Sequence, residues 1–405
     1  MLPPSPKASA LKGRDPLDRD PATTVFAVGT CQWREMRPWK ASVGAQEEGP
    51  TRGPLLPATR ACLTPFVPHQ SLLLMEGNPP FSIEVDRAAV DGLLDVSPPA
   101  TAFLTEQLAS IFGATALALL HYGSRAQGRV VRPDSAFDFF IVVTNYPEAY
   151  RAATFALGPR CRPRLAVVLA RLLPPNAMSV RRSGPFGEQE AKCLIISERD
   201  FQRECSARAR DHFVQARMAQ RVLLTWARDL ASAAAVLRCV RQARDRTFDW
   251  ARVFLPPSFD LPGDGRTLID VSFAHEIRAE AKGHGEVLFS AQRSLLSGIY
   301  EPLLARLAER GVLERHGDHY RQRRPPSAVT RVLVRSYFHR SKLRTTLRLL
   351  KHPFLYDNWL EYITRKIDRS TGQRIELTER ERRRPLIFIW PRVVRYVRSR
   401  PQRGH

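Results

Sequence analysis

Two apolar runs of strand length, separated by a short polar segment, constrain the fold of this chain most strongly. The first run is Ala116–Tyr122 and the second is Phe137–Val143. Gly123 directly follows the first run, and Pro133 and Asn145 bound the second, so turn-forming residues delimit both. The pattern predicts two strands of a sheet that are close together in the chain.

The segments around these runs alternate between helical and strand patterns. Apolar residues recur at helical spacing in 102–112, 213–230 and 230–240, and a short apolar run at 193–196 has strand character. Such alternation is typical of an α/β protein with a mixed sheet flanked by helices. Hydrophobic residues make up 43% of the chain, which is enough to form a core.

The N-terminal part differs in composition. The first 80 residues hold 13 of the 32 prolines and show no sustained periodicity, so 1–80 is expected to be a disordered leader, or an untranslated one as far as Met75. It lacks the apolar stretch of a secretory signal. The six cysteines form no CxxC pair, which argues against a disulfide framework or zinc ribbon and favours a reduced, cytoplasmic setting.

Positive charge is concentrated near the C-terminus. The chain carries 63 Lys and Arg against 40 Asp and Glu, a net charge of +23, and residues 321–405 alone hold 23 of these cations against 6 acids, a net +17. A basic segment of this kind binds polyanions, either nucleic acid or an anionic membrane surface. The alternative is a solvated tail that only aids solubility.

The turn between the two predicted strands carries the residues best suited to chemistry. Gly123 allows the backbone to approach a triphosphate closely, and Ser124 offers a hydroxyl beside backbone amides that can donate to phosphate oxygens. Asp138, at the start of the second strand, can hold Mg²⁺. An ordinary turn followed by a strand-edge carboxylate is the alternative interpretation.

This arrangement resembles the polymerase-beta-type nucleotidyltransferase superfamily, in which a glycine-serine turn precedes an Asp-x-Asp strand. Here Ala136 stands where that pattern has its first aspartate. The chain is more similar to the mitochondrial-type phosphatidate cytidylyltransferases, which have a Tyr-Gly-Ser turn and then a single Asp followed by Phe or Leu. Tyr122–Ser124 and Phe137–Phe139 match these two motifs.

Weaker similarities to that family follow in the same order along the chain. They lie at Lys192–Ser197, Phe213–Met218, Leu255–Phe259 and Val271–Arg278, with Gln220 and Glu276 departing from the family pattern. The resemblance covers about 85–312. It implies a nucleotidyltransferase core at 85–200 and a mainly helical second domain at 201–315, with a basic extension at 316–405 outside it.

The resemblance implies that CTP and phosphatidate react to give CDP-diacylglycerol and pyrophosphate, with Mg²⁺ as cofactor. For Lys192 the alternative role is a surface salt bridge with a nearby glutamate, and for Arg217 and Arg278 it is a solvated position. The missing second carboxylate has three candidates, Glu188, Glu190 and Asp134. The implied catalytic residues are Asp138, Lys192 and Arg217, with Asp138 as the metal ligand, and the implied nucleotide-binding residues are Gly123, Ser124 and Arg278.

A diacyl substrate requires the enzyme to reach a bilayer surface. The chain has no run of 18 apolar residues, so a membrane-spanning helix is not expected. Segments 331–351 and 385–397 instead interleave cations with apolar side chains, and the second adds Trp390 and Tyr396. We therefore expect 316–405 to contact the inner face of an anionic membrane peripherally.

Two other functions remain open at this stage. Arg125 after the Gly-Ser pair is common in minimal nucleotidyltransferases that modify protein, antibiotic or RNA, although such enzymes usually keep both aspartates. A non-catalytic nucleic-acid-binding protein would use the basic tail and its aromatic residues. No recognisable RNA-binding signature is present, so no specific nucleic acid partner is expected.

Overall fold

A computed structural model describes residues 93–95, 97–128, 135–157, 162–274 and 284–351, together with 355, 364 and 378–383. The expected leader at 1–80 and the segment 385–397 lie outside the described residues. So do Asp134, Glu276 and Arg278.

A five-stranded mixed sheet organises the first half of the described chain. Its strands are β1 (Ala116–Tyr122), β2 (Phe137–Val143), β3 (Asn176–Gly184), β4 (Gly187–Ser197) and β5 (Leu223–Ala227). They are arranged in the order β3-β4-β2-β1-β5. The pair β2–β4 is parallel and the other pairs are antiparallel. The α/β class with a mixed sheet is thus confirmed.

Helices cover both faces of this sheet because its central strands are apolar on both sides. One face packs against α1 (Pro99–Phe112), α3 (Tyr146–Leu157) and α4 (Pro163–Leu172). The opposite face packs against α5 (Glu198–Cys205), α6 (Gln215–Met218) and α7 (Leu230–Asp245). The four-residue helix α2 (Gly123–Ala126) follows β1 directly.

A second cluster of elements follows the sheet. It contains α8 (Thr247–Ala251), α9 (Leu261–Asp264), α10 (Arg266–Ala274), α11 (His284–Glu309) and a small antiparallel sheet of β6 (Ser258–Phe259), β7 (Leu313–His316) and β8 (His319–Gln322). Its core is formed by apolar residues between Phe248 and Tyr320. Helices α12 (Ala328–Leu349) and α13 (Glu379–Arg383) complete the described elements.

Helix boundaries follow local chemistry. Asp229 caps α7 by accepting a hydrogen bond from the Ser232 amide at 2.7 Å. Ser327 caps α12 in the same way through the Thr330 amide at 3.1 Å. Each cap satisfies a donor that the first turn of a helix leaves without an intrahelical partner.

Three sequence expectations differ from the structure. The helix expected at 213–230 is wrong, since the segment forms the short α6 and then β5. Because β5 pairs with β1, the sheet extends past the expected domain boundary at 200. The segment expected to begin a tail at 316 instead contributes β8 to the small sheet.

Helix α12 is also part of the folded unit. Phe338 is fully buried, and Ser341 accepts a hydrogen bond from the His212 amide at 2.9 Å. The Phe338 ring contacts the rings of His212 and Trp250, at 4.8 and 5.7 Å between centroids. The first part of the expected tail is therefore packed against the protein. Among the described helices, none is long and apolar enough to cross a bilayer.

Candidate functional site

The register of the sheet brings four polar positions into one row. Tyr122 pairs with Asp138, Asp138 with Lys192, and Lys192 with Ser179. Side chains at paired positions of adjacent strands lie on the same face of a sheet. The row therefore lies where the apolar part of this face, formed by Leu120, Phe140 and Leu194, gives way to polar side chains. Two residues predicted separately from sequence, Asp138 and Lys192, are direct neighbours in it.

Gly123 meets this row from the end of β1. Its φ angle is +82°, a left-handed conformation that L side chains rarely adopt. A Cβ atom placed there would lie 2.5 Å from Oδ2 of Asp138. The carboxylate thus occupies the space that a side chain at 123 would need. Glycine is therefore required here both by the backbone conformation and by the close approach of Asp138.

The turn after Gly123 is anchored to the start of β2. Arg125 donates from Nε to the carbonyl oxygen of Ser135 at 2.9 Å, and its guanidinium lies 4.2 Å from the centre of the Phe137 ring. Arg125 therefore holds the turn against the start of β2. This contact gives the residue a structural role that needs no substrate.

His121 supports the turn from the opposite face of the sheet. It is fully buried, and its ring lies 5.8 and 5.1 Å from the rings of Phe137 and Phe139. Burial, and to a lesser degree the nearby Arg125 charge, lower the pKa of His121 to about 4. The residue is therefore neutral at physiological pH and packs as part of the core, as expected for a structural histidine.

Arg217, on α6, lies next to the Tyr122 end of the row. It is half-buried, its Nη1 donates to the Phe213 carbonyl at 2.6 Å, and its guanidinium lies 3.6 Å from the centre of the Phe213 ring. The same group is 5.9 Å from the Tyr122 ring. Arg217 is therefore partly exposed and also lies over aromatic rings beside the row, so it is not a fully solvated helix arginine.

Buried hydrogen bonds fix the C-terminal end of α6, which carries Arg217, and the segment that follows it. Gln127, just after the Gly-Ser turn, donates to Gln220 at 3.1 Å. Arg244 donates to the Met218 carbonyl at 3.1 Å, and the Tyr300 hydroxyl donates to the Ala219 carbonyl at 2.7 Å. Gln220, which departs from the family pattern, thus connects the segment after α6 to the Gly-Ser turn through Gln127.

Of the two candidate second carboxylates that the structure describes, Glu190 is better placed than Glu188. The β2–β4 register pairs Phe137 with Ala191. One residue earlier on both sides, the same register would place Ala136 beside Glu190. Ser179 donates to Glu190 Oε1 at 2.6 Å, which fixes the carboxylate. Glu188 lies further out on the β3–β4 hairpin, opposite Ser183.

Asp138 and Glu190 suit Mg²⁺, which takes one or two protein carboxylates and keeps its remaining positions for water and substrate phosphates. The described part of the chain contains no group of three or more His, Cys, Asp or Glu side chains arranged around a metal position. A site of two carboxylates completed by substrate is compatible with that finding.

Most of the sequence-predicted site residues come together. Gly123 and Ser124 follow the end of β1, Asp138 lies near the start of β2, and Lys192 in the middle of β4 pairs with Asp138. Arg217 lies beside Tyr122, the last residue of β1. Ser179 was missed, although the alternation of Met178 and Val180 with polar residues indicated a strand there.

Comparison with protein-family models finds none that matches this chain, and comparison with curated proteins finds no significant match.

Proposed function

We propose that this chain is a nucleotidyltransferase that transfers a cytidylyl group from CTP to phosphatidate at a membrane surface. The products are CDP-diacylglycerol and pyrophosphate. The observation that carries the proposal is the contact between Gly123 and Asp138, in register with Lys192. A glycine turn that is held against a carboxylate and beside an ammonium group is suited to binding a triphosphate and its metal.

The turn supplies donors for phosphate. The first amides of a helix have no partner within that helix, and Gly123 and Ser124 are the first residues of α2. Ser124 adds a hydroxyl that is partly exposed. In the proposed complex these groups bind the β- and γ-phosphates of CTP.

The cations orient the reacting groups. Lys192 adjoins Asp138 on the next strand and neutralises charge on the triphosphate. Arg217 offers a planar guanidinium that can bind phosphate oxygens bidentately. With both in place, a phosphatidate oxygen attacks the α-phosphorus in line, the bond to the bridging oxygen breaks, and pyrophosphate leaves with that electron pair.

Asp138 holds the metal in this proposal, and Glu190 provides the second carboxylate that Ala136 cannot supply. Bound Mg²⁺ would neutralise the phosphate oxygens and so stabilise charge in the transition state. The hydrogen bond from Ser179 keeps Glu190 turned toward the same face as Asp138.

Helix α12 supports the membrane part of the proposal. It contains six Lys and Arg and no Asp or Glu. Its buried residues include the polar Ser341, Thr345 and Arg348, whereas Leu333, Leu343 and Leu347 are exposed. Leucines directed outward among cations are typical of a helix that lies on an anionic bilayer.

A turnover assay on the full chain tests the function. Liposomes containing phosphatidate are incubated with Mg²⁺ and each labelled nucleoside triphosphate in turn, and lipid-linked nucleotide is measured. We expect lipid-linked CMP from CTP, loss of product in Asp138→Asn, and normal turnover in the control Asp318→Asn, whose carboxylate is exposed in the β7–β8 turn. Absence of lipid product with every nucleotide, on liposomes that bind the protein, would refute the proposal.

A further inference from the structure

Two arginines of α12 share one buried carboxylate. Arg344 donates from Nε to Oδ2 of Asp211 at 2.9 Å, and Arg348 donates from Nη2 to the same oxygen at 2.8 Å. Arg348 also donates to the carbonyl oxygen of Pro174 at 2.7 Å. The arginine side chains are 19% and 6% exposed, and that of Asp211 is 2% exposed.

Several donors of this pair lack a hydrogen-bond acceptor among the described residues. Nε and Nη1 of Arg348 and Nη2 of Arg344 are buried, and no atom of the described structure accepts a hydrogen bond from them. A guanidinium has five N–H groups, and leaving them unpaired away from water is costly. The pair thus has more donors than the surrounding protein satisfies.

The cluster formed by Arg344, Arg348 and Asp211 also has more positive charge than its one carboxylate balances. Burial and the charges of Arg344 and Arg217 lower the pKa of Arg348, against the opposing effect of Asp211. Burial and the Arg348 and Arg344 charges lower the pKa of Lys351 to about 6. Burial, the largest cause of both shifts, disfavours any charged group here, whereas the arginine charges that add to it are ones that a bound anion would offset.

Glu204, a second buried acid in the described part of the chain, does not restore the balance. Glu204 lies close enough to Asp211 for their charges to interact, but burial, and then Asp211, raise the pKa of its carboxyl. It is already bound by Arg203 at 2.9 Å and by the Arg210 amide at 2.9 Å. In the described part of the chain, Arg344 and Arg348 thus share the single carboxylate of Asp211.

The cluster adjoins the candidate site. The guanidinium of Arg348 lies 4.4 Å from the centre of the Phe213 ring, and that of Arg217 lies 3.6 Å from the same ring. Arg217 in turn lies beside Tyr122 in the site row. Cationic groups thus extend from the row, across Phe213, to α12.

We propose that Arg344 and Arg348 form a phosphoryl-binding subsite through which α12 completes the candidate site. A phosphoryl group carries negative charge and several acceptor oxygens, which suit guanidinium donors that lack an acceptor among the described residues. The phosphoryl group belongs either to the nucleoside triphosphate or to the lipid acceptor. In assigning it to a substrate, the inference rests on the proposed function.

Calorimetric titration of the full chain with inorganic pyrophosphate tests the subsite without turnover. Wild type is expected to bind, and Arg344→Gln is expected to weaken binding by about tenfold or more, because it removes charge-assisted hydrogen bonds. Arg340→Gln is the matched control on the same helix, since Arg340 is exposed and donates to the Arg210 carbonyl. It should bind pyrophosphate as wild type does.

Arg348→Gln extends the test, with circular dichroism to confirm folding; if it does not fold, the partly exposed Arg344 variant still decides. Parallel titrations with CTP and with dihexanoyl phosphatidate identify the source, because the ligand whose binding Arg344→Gln weakens supplies the phosphoryl group. Failure of wild type to bind pyrophosphate, or equal binding by folded Arg344→Gln, would overturn the inference.

The two proposals fail differently. If wild type makes no lipid product with any nucleotide, yet pyrophosphate binding still depends on Arg344, the proposed function is wrong and the subsite stands. If Asp138→Asn abolishes turnover but Arg344→Gln binds pyrophosphate normally, the reverse holds.

Discussion

At the scale of single residues, Gly123 combines a conformational and a steric requirement. Gly123→Ala forces a side chain into φ +82°, which costs about 1–2 kcal/mol. It also places Cβ 2.5 Å from Oδ2 of Asp138, which adds about 1–3 kcal/mol of overpacking or displaces the carboxylate. We expect lower stability in urea denaturation and loss of product formation together.

Gly128 separates these two effects. Its φ angle is +67°, but nothing lies within 4 Å of a Cβ built there. Gly128→Ala should therefore show the conformational cost and retain product formation. Equal stability losses and equal turnover in the two variants would contradict the steric role of Asp138.

His121 makes stability depend on pH in a defined direction. Its pKa is about 4 in the folded protein and 6.5 as the reference for the unfolded chain, so between these values the unfolded chain binds more protons. The free energy of unfolding should fall by about 3 kcal/mol as the pH drops from 6.5 to 4. Urea denaturation at several pH values measures this.

His121→Leu removes the titrating group while keeping an apolar side chain in the pocket of Phe137 and Phe139. Its stability should be less dependent on pH over the same interval than that of wild type. Identical slopes for the two proteins would show that His121 titrates alike in the folded and unfolded chains.

At the scale of elements, strands with a simple apolar pattern were predictable. β1 and β2 match the expected bounds because each is an apolar run between turn-forming residues. The pattern of 213–230 predicts a helix where β5 lies, because a short apolar run does not distinguish the helical period from the strand period. Thr225 and Trp226 nevertheless favour a strand. The neighbouring positions of Asp138 and Lys192 depend on the parallel pairing of β2 with β4, which spacing along the chain does not reveal.

Helix α12 shows the same limit more strongly, because its charge indicated a tail while its burial depends on residues far away in sequence. Phe338 contacts His212, Trp250 and Phe254. Phe338→Ala should cost about 3–5 kcal/mol in urea denaturation, as expected for emptying a buried aromatic position.

Leu333→Ala is the matched control on the same helix, since Leu333 is 65% exposed, and it should change stability by less than about 0.5 kcal/mol. If α12 were an independent appendage, neither substitution would shift the main unfolding transition. That result would contradict the packing described for the helix.

At the scale of the whole molecule, the net charge of +23 and the outward leucines of α12 have a joint consequence for membrane binding. Leu343 and Leu347 lie one turn apart and are 60% and 43% exposed. The double variant Leu343→Asp/Leu347→Asp should lower partitioning onto phosphatidate-containing vesicles by about tenfold or more. It removes two apolar contacts with the bilayer and places on the helix two negative charges that the anionic surface repels.

Val287→Asp is the control for this experiment, because Val287 is an apolar residue on α11 with a comparable exposure of 54%. It introduces the same kind of charge away from α12 and should leave vesicle binding nearly unchanged. Added salt should weaken wild-type binding, since the cations of α12 act on an anionic surface through a screened potential. Equal losses in both variants would assign the binding to net charge alone, whereas a loss confined to the α12 variant would identify this helix as the surface that brings the candidate site to its lipid.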